Sequence, residues 1–460
     1  MKGEDAPAKV NLLPDPSIDS SIAGTAYYPS LNLLTSNESL DLESVDPKFP
    51  EILNLYFLGL RKLIALKESQ HSPRTIVIDP YRTCNLKCKY CYAYSGPEFN
   101  KTVNPGLVDD VISRYGCKGA MVFGGEPTLD KHFLKNLYHG HEWNEFFFSS
   151  NGIPISKDFV QDLANAQDVV VQISVEPHEW NQRVDANGNR QIDLLDRNLS
   201  LIGSIRNLQF RVTIPADAPY VPLKKFVDYL IERTGTDEFH IYYWPVSGDK
   251  LPDWLGKWIS ESQEMMIEDY SRYQGKLLSQ EIYDVFLLDM DLFGFRFYNC
   301  NAGFGSIAIG PDSKIHACHE IAVLEGRNDV ISSDDDPKVL DQRKVVLRTY
   351  RWSNNMTNDE CRSCLARYVC GGVCFQEQSK PSAACRFIRE AFSLALTQFA
   401  IDDPVGFSNF VRSSETRFEK LYHRRDELYR DVTGETWMKL VSGELPVEQA
   451  VELAEKLLSF

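Results

Sequence analysis

The sequence Cys84-Asn85-Leu86-Lys87-Cys88-Lys89-Tyr90-Cys91 places three thiols on one short loop, in C-x3-C-x2-C spacing. The loop follows the β-branched run Thr75 to Ile78, so the three thiolates lie at the end of a predicted strand. Four cysteines complete the ligand set of an iron–sulfur cluster, whereas a [4Fe-4S] cluster bound by three leaves one iron free for another ligand. The spacing therefore indicates a catalytic cluster rather than a structural one.

A zinc knuckle or a disulfide framework is the alternative interpretation of this loop. Structural zinc sites favour pairs of cysteines in C-x2-C spacing with a fourth cysteine or histidine nearby, and no such residue lies close to this loop in the sequence. Disulfides are rare in reducing compartments. The sequence therefore favours the iron–sulfur interpretation over these two alternatives.

The composition indicates a soluble chain whose partners are neither membranes nor nucleic acids. The 460 residues are 43% hydrophobic, which suits two or three domains, and no apolar run approaches the roughly 20 residues that span a bilayer. The first residues lack the apolar core of a signal peptide. A net charge of -16 argues against a general nucleic-acid binder. We therefore expect a cytoplasmic protein.

Short β-rich runs alternate with helical stretches from residue 74 to residue 246, which is the pattern of a parallel α/β fold. Functional residues of such folds collect on the loops that follow the carboxyl ends of the strands. Residues 1 to about 50 predict an extended or partly ordered arm, and apolar residues at helical spacing predict one amphipathic helix from Phe49 to Lys67. The predicted strands are 75–79, 119–123, 145–149, 168–174, 208–214 and 238–244.

The cysteine loop resembles the signature of the radical S-adenosylmethionine (radical SAM) superfamily, including the aromatic Tyr90 before the last cysteine. The resemblance implies that the amino and carboxylate groups of SAM chelate the free iron of a cluster bound by Cys84, Cys88 and Cys91. It also implies a partial (β/α)6 TIM-like barrel, which the six predicted strands match in number. Tyr90 would pack on the adenine of SAM.

Polar residues after the later strands extend this resemblance. The segment Gly124-Gly125-Glu126-Pro127 follows the second predicted strand and resembles the segment that binds the SAM ammonium. Glycine lets backbone approach a ligand closely, and arginine suits a carboxylate because its planar fork donates two parallel hydrogen bonds. The resemblance implies ribose contacts after the third and fourth strands and a SAM carboxylate contact on the fifth. These residues are Ser150, Asn151, Ser174, Glu176 and Arg211, in that order.

A second group of seven cysteines resembles the SPASM extension of radical SAM enzymes that modify peptides. The resemblance implies an outer auxiliary cluster and an inner one that lies nearer the barrel. Two four-thiolate clusters need eight cysteines, so the inner cluster is expected to lack one cysteine ligand. A pair of zinc-ribbon sites is the alternative interpretation of this group. The implied outer ligands are Cys361, Cys364, Cys370 and Cys385, and the implied inner ligands are Cys300, Cys318 and Cys374.

Three polar residues flank Cys318, namely His316, His319 and Glu320. A histidine titrates near neutral pH, which suits it to be a metal ligand or a base. We expect the missing ligand of the inner cluster, or a catalytic base, among these three residues, with His319 and Glu320 as the catalytic candidates. The remaining cysteine, Cys117, belongs to neither group and is interpreted as a thiol without a role.

The resemblance covers residues 70 to 390 and divides the chain into five parts. The SPASM region contains the second cysteine group, and a helical bridge connects it to the barrel. The predicted parts are an N-terminal arm and helix (1–70), a radical SAM partial barrel (71–246), the helical bridge (247–298), the SPASM domain (299–390) and a C-terminal helical region (391–460).

The function that the resemblance implies is hydrogen-atom abstraction from a ribosomally made precursor peptide, with a carbon–carbon or thioether crosslink as the expected product. The expected cofactors are SAM and three [4Fe-4S] clusters, and the expected partners are the peptide and a reductant such as flavodoxin or ferredoxin. Leader recognition would use the arm, the core or a separate protein.

Several other functions stay open. Formylglycine-type sulfatase maturation is disfavoured because His319 follows Cys318 where that family has an aspartate. Backbone excision, epimerisation and small-molecule chemistry are further alternatives. A non-catalytic iron–sulfur protein for electron transfer would have closed clusters and no SAM site, so the open cysteine loop and the Gly124–Pro127 segment argue against that class.

Overall fold

A computed structural model of the protein describes two compact units, one formed by residues 68–279 and 301–348 and the other by residues 1–67, 280–300 and 349–460. We name them the sheet unit and the helical unit. The domain boundaries predicted from the sequence stay predictions. Within these ranges the described residues are 10–11, 26–28, 33–36, 42, 45–166, 169–180, 182–245, 252–268, 301–322, 330–352, 385, 400 and 404–458.

The sheet unit contains an eight-stranded sheet, in which two strands from later in the chain extend one edge of a row of six. Strands β4 to β9 are parallel and follow one another in chain order, and they confirm the six strands predicted from the sequence. Their bounds are Thr75–Ile78 (β4), Gly119–Val122 (β5), Glu145–Ser150 (β6), Val169–Val175 (β7), Leu208–Ile214 (β8) and His240–Pro245 (β9).

Helices alternate with these strands. Local signals set their ends: α2 has Pro105 in its first turn, Asn104 accepts a hydrogen bond from the Gly106 backbone N–H, and Gly116 ends the helix in the left-handed conformation. The helices are α2 (Pro105–Tyr115), α3 (Lys131–Gly140), α4 (Lys157–Ala164), α5 (Ile192–Ile202), α6 (Leu223–Thr234) and α7 (Leu255–Glu268).

Sequential parallel strands joined by right-handed crossovers carry their helices on one face of the sheet. We name the other face the inner face, and its residues on β7 and β8 are less buried. Burial alternates accordingly along β7 and β8, where every second residue is buried and the residues between them are half-buried. Ser174 and Arg211, two of the predicted SAM contacts, are half-buried and directly opposite each other on β7 and β8.

Two further strands extend the sheet beyond the predicted six. Strand β10 (Ser306–Ile309) pairs in parallel with β4, and β11 (Ile315–His316) pairs antiparallel with β10. The short helix α8 (His319–Ala322) follows at once, and α9 (Gln342–Trp352) comes later. This edge places Cys318 directly before α8, in the same unit as Cys84, Cys88 and Cys91.

The helical unit confirms the predicted N-terminal helix as α1 (Phe49–Glu68) and the helical C-terminal region. Phe49, Leu53, Phe57 and Phe418 form a buried core with Leu33. A three-stranded antiparallel sheet in the arm was not predicted: β1 (Val10–Asn11), β2 (Ala26–Tyr28) and β3 (Leu33–Thr35). The C-terminal helices are α10 (Pro404–His423), α11 (Arg425–Thr433), α12 (Glu435–Ser442) and α13 (Val447–Leu457).

The fold class is therefore the predicted one: mixed α/β with a parallel sheet that forms a partial barrel, followed by helices. None of the described helices is both long enough and apolar enough to cross a bilayer.

Candidate active site

The three cysteines of the first group lie on a loop that leaves the carboxyl end of β4. Cys84 is buried, Cys88 and Cys91 are half-buried, and all three are free thiols. The Lys87 N–H donates to Val184 O (2.7 Å) and the Lys89 N–H donates to Gln182 O (3.3 Å). The segment after β7 therefore fixes the cysteine loop through its backbone.

Burial of these thiols works against their ionisation. It raises the pKa of Cys84 to about 12 and that of Cys88 to about 11. Backbone N–H groups nevertheless point at two of the sulfurs, from Leu86 to Cys84 Sγ (3.4 Å) and from Ser95 to Cys91 Sγ (3.5 Å). Buried thiols that receive N–H donors fit a metal cluster, whose positive iron ions favour the thiolate form.

The Gly124–Pro127 segment packs directly on this cysteine loop. The Gly125 N–H donates to Tyr81 O (2.8 Å) and the Glu126 N–H donates to Thr83 O (3.0 Å). A Cβ atom at Gly125 would lie 2.0 Å from Thr83 O, and Gly124 has a φ of +100°. The two glycines therefore allow close contact between two backbone segments. This contact is a second reason for glycine at these positions, beside the predicted close approach of a ligand.

The Glu126 carboxylate connects the segment to the end of β6. Its Oε1 accepts from the Thr128 N–H (3.0 Å), the Thr128 hydroxyl (2.6 Å) and the Ser150 hydroxyl (2.8 Å), and its Oε2 accepts from the Asn151 N–H (2.6 Å). The side chain is only 1% exposed, and burial raises its pKa. Only Oε2 retains acceptor capacity, so the predicted contact with the SAM ammonium, which stays a prediction, would use that atom.

Asn151 brings the end of β6 to the cysteine loop. Its side-chain N–H groups donate to Asn85 Oδ1 (2.8 Å) and contact Cys84 Sγ (3.8 Å). Ser150 and Asn151 were predicted as ribose contacts; Asn151 lies between Glu126 and Cys84, whereas Ser150 bonds to Glu126. Hydrogen bonds to cluster sulfurs tune the reduction potential of a cluster.

Glu176, after β7, has one oxygen available for a ligand. Its Oε1 accepts from the Gln182 N–H (2.9 Å) and the Arg183 N–H (3.2 Å). Its Oε2 is buried and has no hydrogen-bond partner among the described residues. A buried acceptor without a donor is costly, and a ribose hydroxyl would supply the donor. This orphaned oxygen fits the predicted ribose contact.

Arg183 is a site residue that the sequence analysis missed. Its side chain is 1% exposed and donates to the backbone oxygens of Ser174 and Asn151, the latter at 3.2 Å. Burial has the largest effect on the pKa of Cys88 and raises it. The positive charge of Arg183 has the next largest effect and lowers that pKa. No local motif marks a lone arginine in a loop, and only the folded chain shows that it contacts the ends of β6 and β7.

The second cysteine group reaches the same site through Cys318. The next residue, His319, stacks on Phe123 (ring centroids 4.9 Å apart) and meets the edge of Tyr92 (5.6 Å), the residue after Cys91. Burial lowers the pKa of His319 to about 4. His316 is instead hydrogen-bonded to Asp312 through Nε2 (3.0 Å). Glu320 is half-buried in α8.

Of the other predicted cysteine ligands, Cys385 is the one among the described residues. Cys385 is half-buried and belongs to the helical unit. The predicted assignment of both auxiliary clusters therefore stays a prediction. The cysteines that lie outside the described residues are Cys300, Cys361, Cys364, Cys370 and Cys374.

Comparison with known proteins agrees with this geometry. Residues 78–216, which contain the cysteine loop and the ends of β5 to β8, match the sequence model of the Radical SAM superfamily. These residues are a radical SAM domain. The predicted resemblance to the radical SAM superfamily is thus confirmed for these residues, and the family implies SAM and one [4Fe-4S] cluster as cofactors. A search of curated protein sequences gave no match.

Solved structures with a similar fold include anSMEcpe with bound AdoMet and the Cp18Cys peptide. It aligns with a TM-score of 0.52 at 14% identity, over 74% of this chain and 99% of that one. Streptococcus suis SuiB bound to its precursor peptide SuiA aligns with a TM-score of 0.46 at 18% identity, over 68% of this chain and 75% of that one. The likeness to anSMEcpe shows a shared fold.

Replacing Gly125 with alanine should impair cluster assembly, because the added Cβ would lie 2.0 Å from Thr83 O, a backbone atom next to Cys84. We expect iron bound at the first cysteine group to fall by more than half after anaerobic reconstitution. The control is Gly140→Ala, since a Cβ at Gly140 has no neighbour within 4 Å. Equal iron contents in the two variants would contradict this packing role.

Replacing Arg183 with glutamine should make the cluster harder to reduce, because a buried positive charge beside Cys88 is lost. The net charge around a cluster sets its reduction potential, and we expect a decrease on the order of tens of millivolts in an EPR-monitored redox titration. Arg183→Lys keeps the charge and should restore most of the potential. If the reduction potential is the same in the parent and in both variants, Arg183 acts only through its hydrogen bonds to the backbone.

Proposed function

We propose that this protein is a radical SAM enzyme that modifies a ribosomally made precursor peptide. The observation that carries the proposal is the open loop of Cys84, Cys88 and Cys91 at the carboxyl edge of the sheet. Three cysteines leave one iron of a [4Fe-4S] cluster available to SAM. The orphaned Glu176 Oε2, near the same loop, provides a place for the nucleoside.

Residues at successive strand ends would bind different parts of SAM. Glu126 would offer Oε2 to the ammonium of the methionine group, and Arg211 would bind the carboxylate through two parallel hydrogen bonds. The ribose would be held by Ser150, Asn151, Ser174 and Glu176, and Tyr90 would pack on the adenine. When bound, SAM and the cluster supply a 5′-deoxyadenosyl radical that removes a hydrogen atom from an unactivated carbon of the peptide.

The burial of these residues protects such chemistry from water. Glu126 and Glu176 are 1% and 2% exposed, and Arg183 is 1% exposed. Their hydrogen bonds fix the ends of β6 and β7 before any ligand arrives, so little reorganisation is needed on binding. Exclusion of water also prevents side reactions of a reactive intermediate.

Three observations support a peptide as the substrate. The sequence after the barrel carries the second cysteine group, which resembles the SPASM extension of peptide-modifying enzymes. In the sheet unit, His319 brings Cys318 close to Tyr92 and hence to the first cysteine group. An auxiliary cluster at Cys318 would accept the electron that remains after hydrogen abstraction, which allows an oxidative crosslink. The anSMEcpe structure, which shares the fold, was solved with AdoMet and a peptide.

Iron content tests the cluster assignment. The ten grouped cysteines divide into three, three and four ligands, so the anaerobically reconstituted protein should hold about twelve iron atoms in three [4Fe-4S] clusters. Replacing Cys84, Cys88 and Cys91 with alanine should remove one cluster and all SAM cleavage while two clusters remain. A content near four iron atoms per chain would refute the auxiliary clusters.

Mass spectrometry of candidate peptides tests the substrate class. We expect a short peptide encoded beside the gene to lose two hydrogen atoms when it is co-expressed with the parent protein, as an oxidative crosslink requires. The protein without Cys84, Cys88 and Cys91 is the control and should leave the peptide unchanged. If SAM is cleaved but no neighbouring peptide changes mass, a small-molecule substrate would become the better explanation.

A further inference from the structure

Asp79 is a buried carboxylate that no part of the assignment above uses. Its side chain is 0% exposed, and neither carboxylate oxygen has a hydrogen-bond partner among the described residues. Burial raises its pKa to about 7, and Arg82 acts in the opposite direction. A buried carboxylate without partners destabilises a fold, so a ligand that supplies donors would explain its presence.

The position of Asp79 on the sheet shows which way the side chain faces. The Asp79 N–H donates to Ile309 O (2.9 Å), which continues the pairing of β4 with β10. Ile76 and Ile78 are 0% exposed and belong to the face that carries the helices. Because side chains alternate along a strand, Asp79 lies with Val77 on the inner face, where the predicted SAM contacts Ser174 and Arg211 also lie.

The described neighbours of Asp79 cover its oxygens without donating a hydrogen bond to them. A Cβ atom at Gly124 would lie 2.9 Å from Asp79 Oδ1, so Gly124 packs closely on this side of the carboxylate and brings no side chain that could bond to it. The Arg82 side chain is engaged elsewhere, since its Nε donates to Ala93 O (3.0 Å) and its guanidinium lies over the Phe99 ring (4.4 Å). Arg82 therefore makes no ion pair with Asp79.

Aromatic rings complete the surroundings. The Phe123 N–H donates to Ile78 O (2.9 Å), which places Phe123 beside Asp79 at the end of β5. Phe123 stacks on His319, and His319 meets the edge of Tyr92. A carboxylate next to aromatic rings is a common setting for an ammonium group, which gains from both the charge and the ring faces.

We propose that Asp79 binds the ammonium group of a ligand on the inner face of the sheet, next to Gly124. This assignment rests on the proposed function, because the two sources of an ammonium there are the methionine group of SAM and a lysine side chain or amino terminus of the peptide. Neither oxygen of Asp79 accepts a hydrogen bond from a described residue, whereas the oxygens of Glu126 already accept four, three of them at Oε1.

Equilibrium binding to the reconstituted protein tests this proposal. The variants are Asp79→Asn, which removes the charge at nearly constant shape, and Asp158→Asn, an exposed control on α4. The probes are SAM, its deaminated analogue with hydrogen in place of the α-amino group, n-butylammonium as a lysine mimic, and n-butanol as its neutral counterpart. Thermal melting of each protein without ligand reports any structural role.

Two results would support the proposal, and they identify the source of the ammonium. If SAM supplies it, Asp79→Asn should weaken SAM binding about tenfold or more while binding of the deaminated analogue is unchanged. If the peptide supplies it, SAM affinity should stay the same, and n-butylammonium should raise the melting temperature of the SAM-loaded parent but not that of Asp79→Asn. In both cases the Asp158→Asn control should respond to each ligand like the parent, and n-butanol should affect the parent and Asp79→Asn equally.

Three results would overturn it. Equal responses of the parent and Asp79→Asn to both SAM and n-butylammonium would remove the assignment and leave the proposed function intact. An Asp79→Asn protein that melts well below the parent, or loses its cluster, would show that the carboxylate is structural. A parent that binds no SAM would overturn the proposed function and this assignment with it.

Discussion

The site depends on how the cysteine loop is held. This loop contributes three sulfurs but has no regular structure of its own, so its shape comes from contacts with the ends of other strands. Gly125 fixes it from β5, Asn151 from β6, and the backbone of Gln182 and Val184 from the segment after β7. Parallel strands in chain order are what bring these ends to one edge of the sheet.

Burial disfavours the charged forms of the acidic groups at this edge. It raises the pKa values of the Cys84 and Cys88 thiols and of the Glu126 carboxyl, which disfavours their anionic forms. The Arg183 guanidinium and the hydrogen bonds to Glu126 compensate in part. An iron–sulfur cluster and a sulfonium ligand would supply further positive charge, so the site is better matched to the loaded state than to the empty one.

Much of this fold follows from local patterns. The run Thr75 to Ile78 and the five runs after it predicted the parallel strands, and the apolar spacing after Phe49 predicted α1, because both signals are contained in short windows of sequence. Strand β10 was missed because its partner β4 lies more than two hundred residues away in the sequence. Pairing over such a distance leaves no local signal.

The same limit applies to the site. The spacing of Cys84, Cys88 and Cys91 and the glycines at 124 and 125 form motifs and were predicted. Asp79 and Arg183 form no motif, and their importance comes from burial that only the folded chain reveals. The hydrogen bonds of Glu126 to Ser150 and Asn151 were likewise not predictable, since each residue was assigned separately to SAM.

The central claim is that the cluster of Cys84, Cys88 and Cys91 has an open iron to which SAM binds. Electron–nuclear double resonance on the reduced protein tests it directly, with SAM that carries a magnetic isotope in its amino or carboxylate group. We predict hyperfine coupling between the label and the cluster, and loss of that coupling when the three cysteines are replaced with alanine. A reduced cluster whose spectrum is unchanged by SAM, with no coupling to either label, would contradict the account.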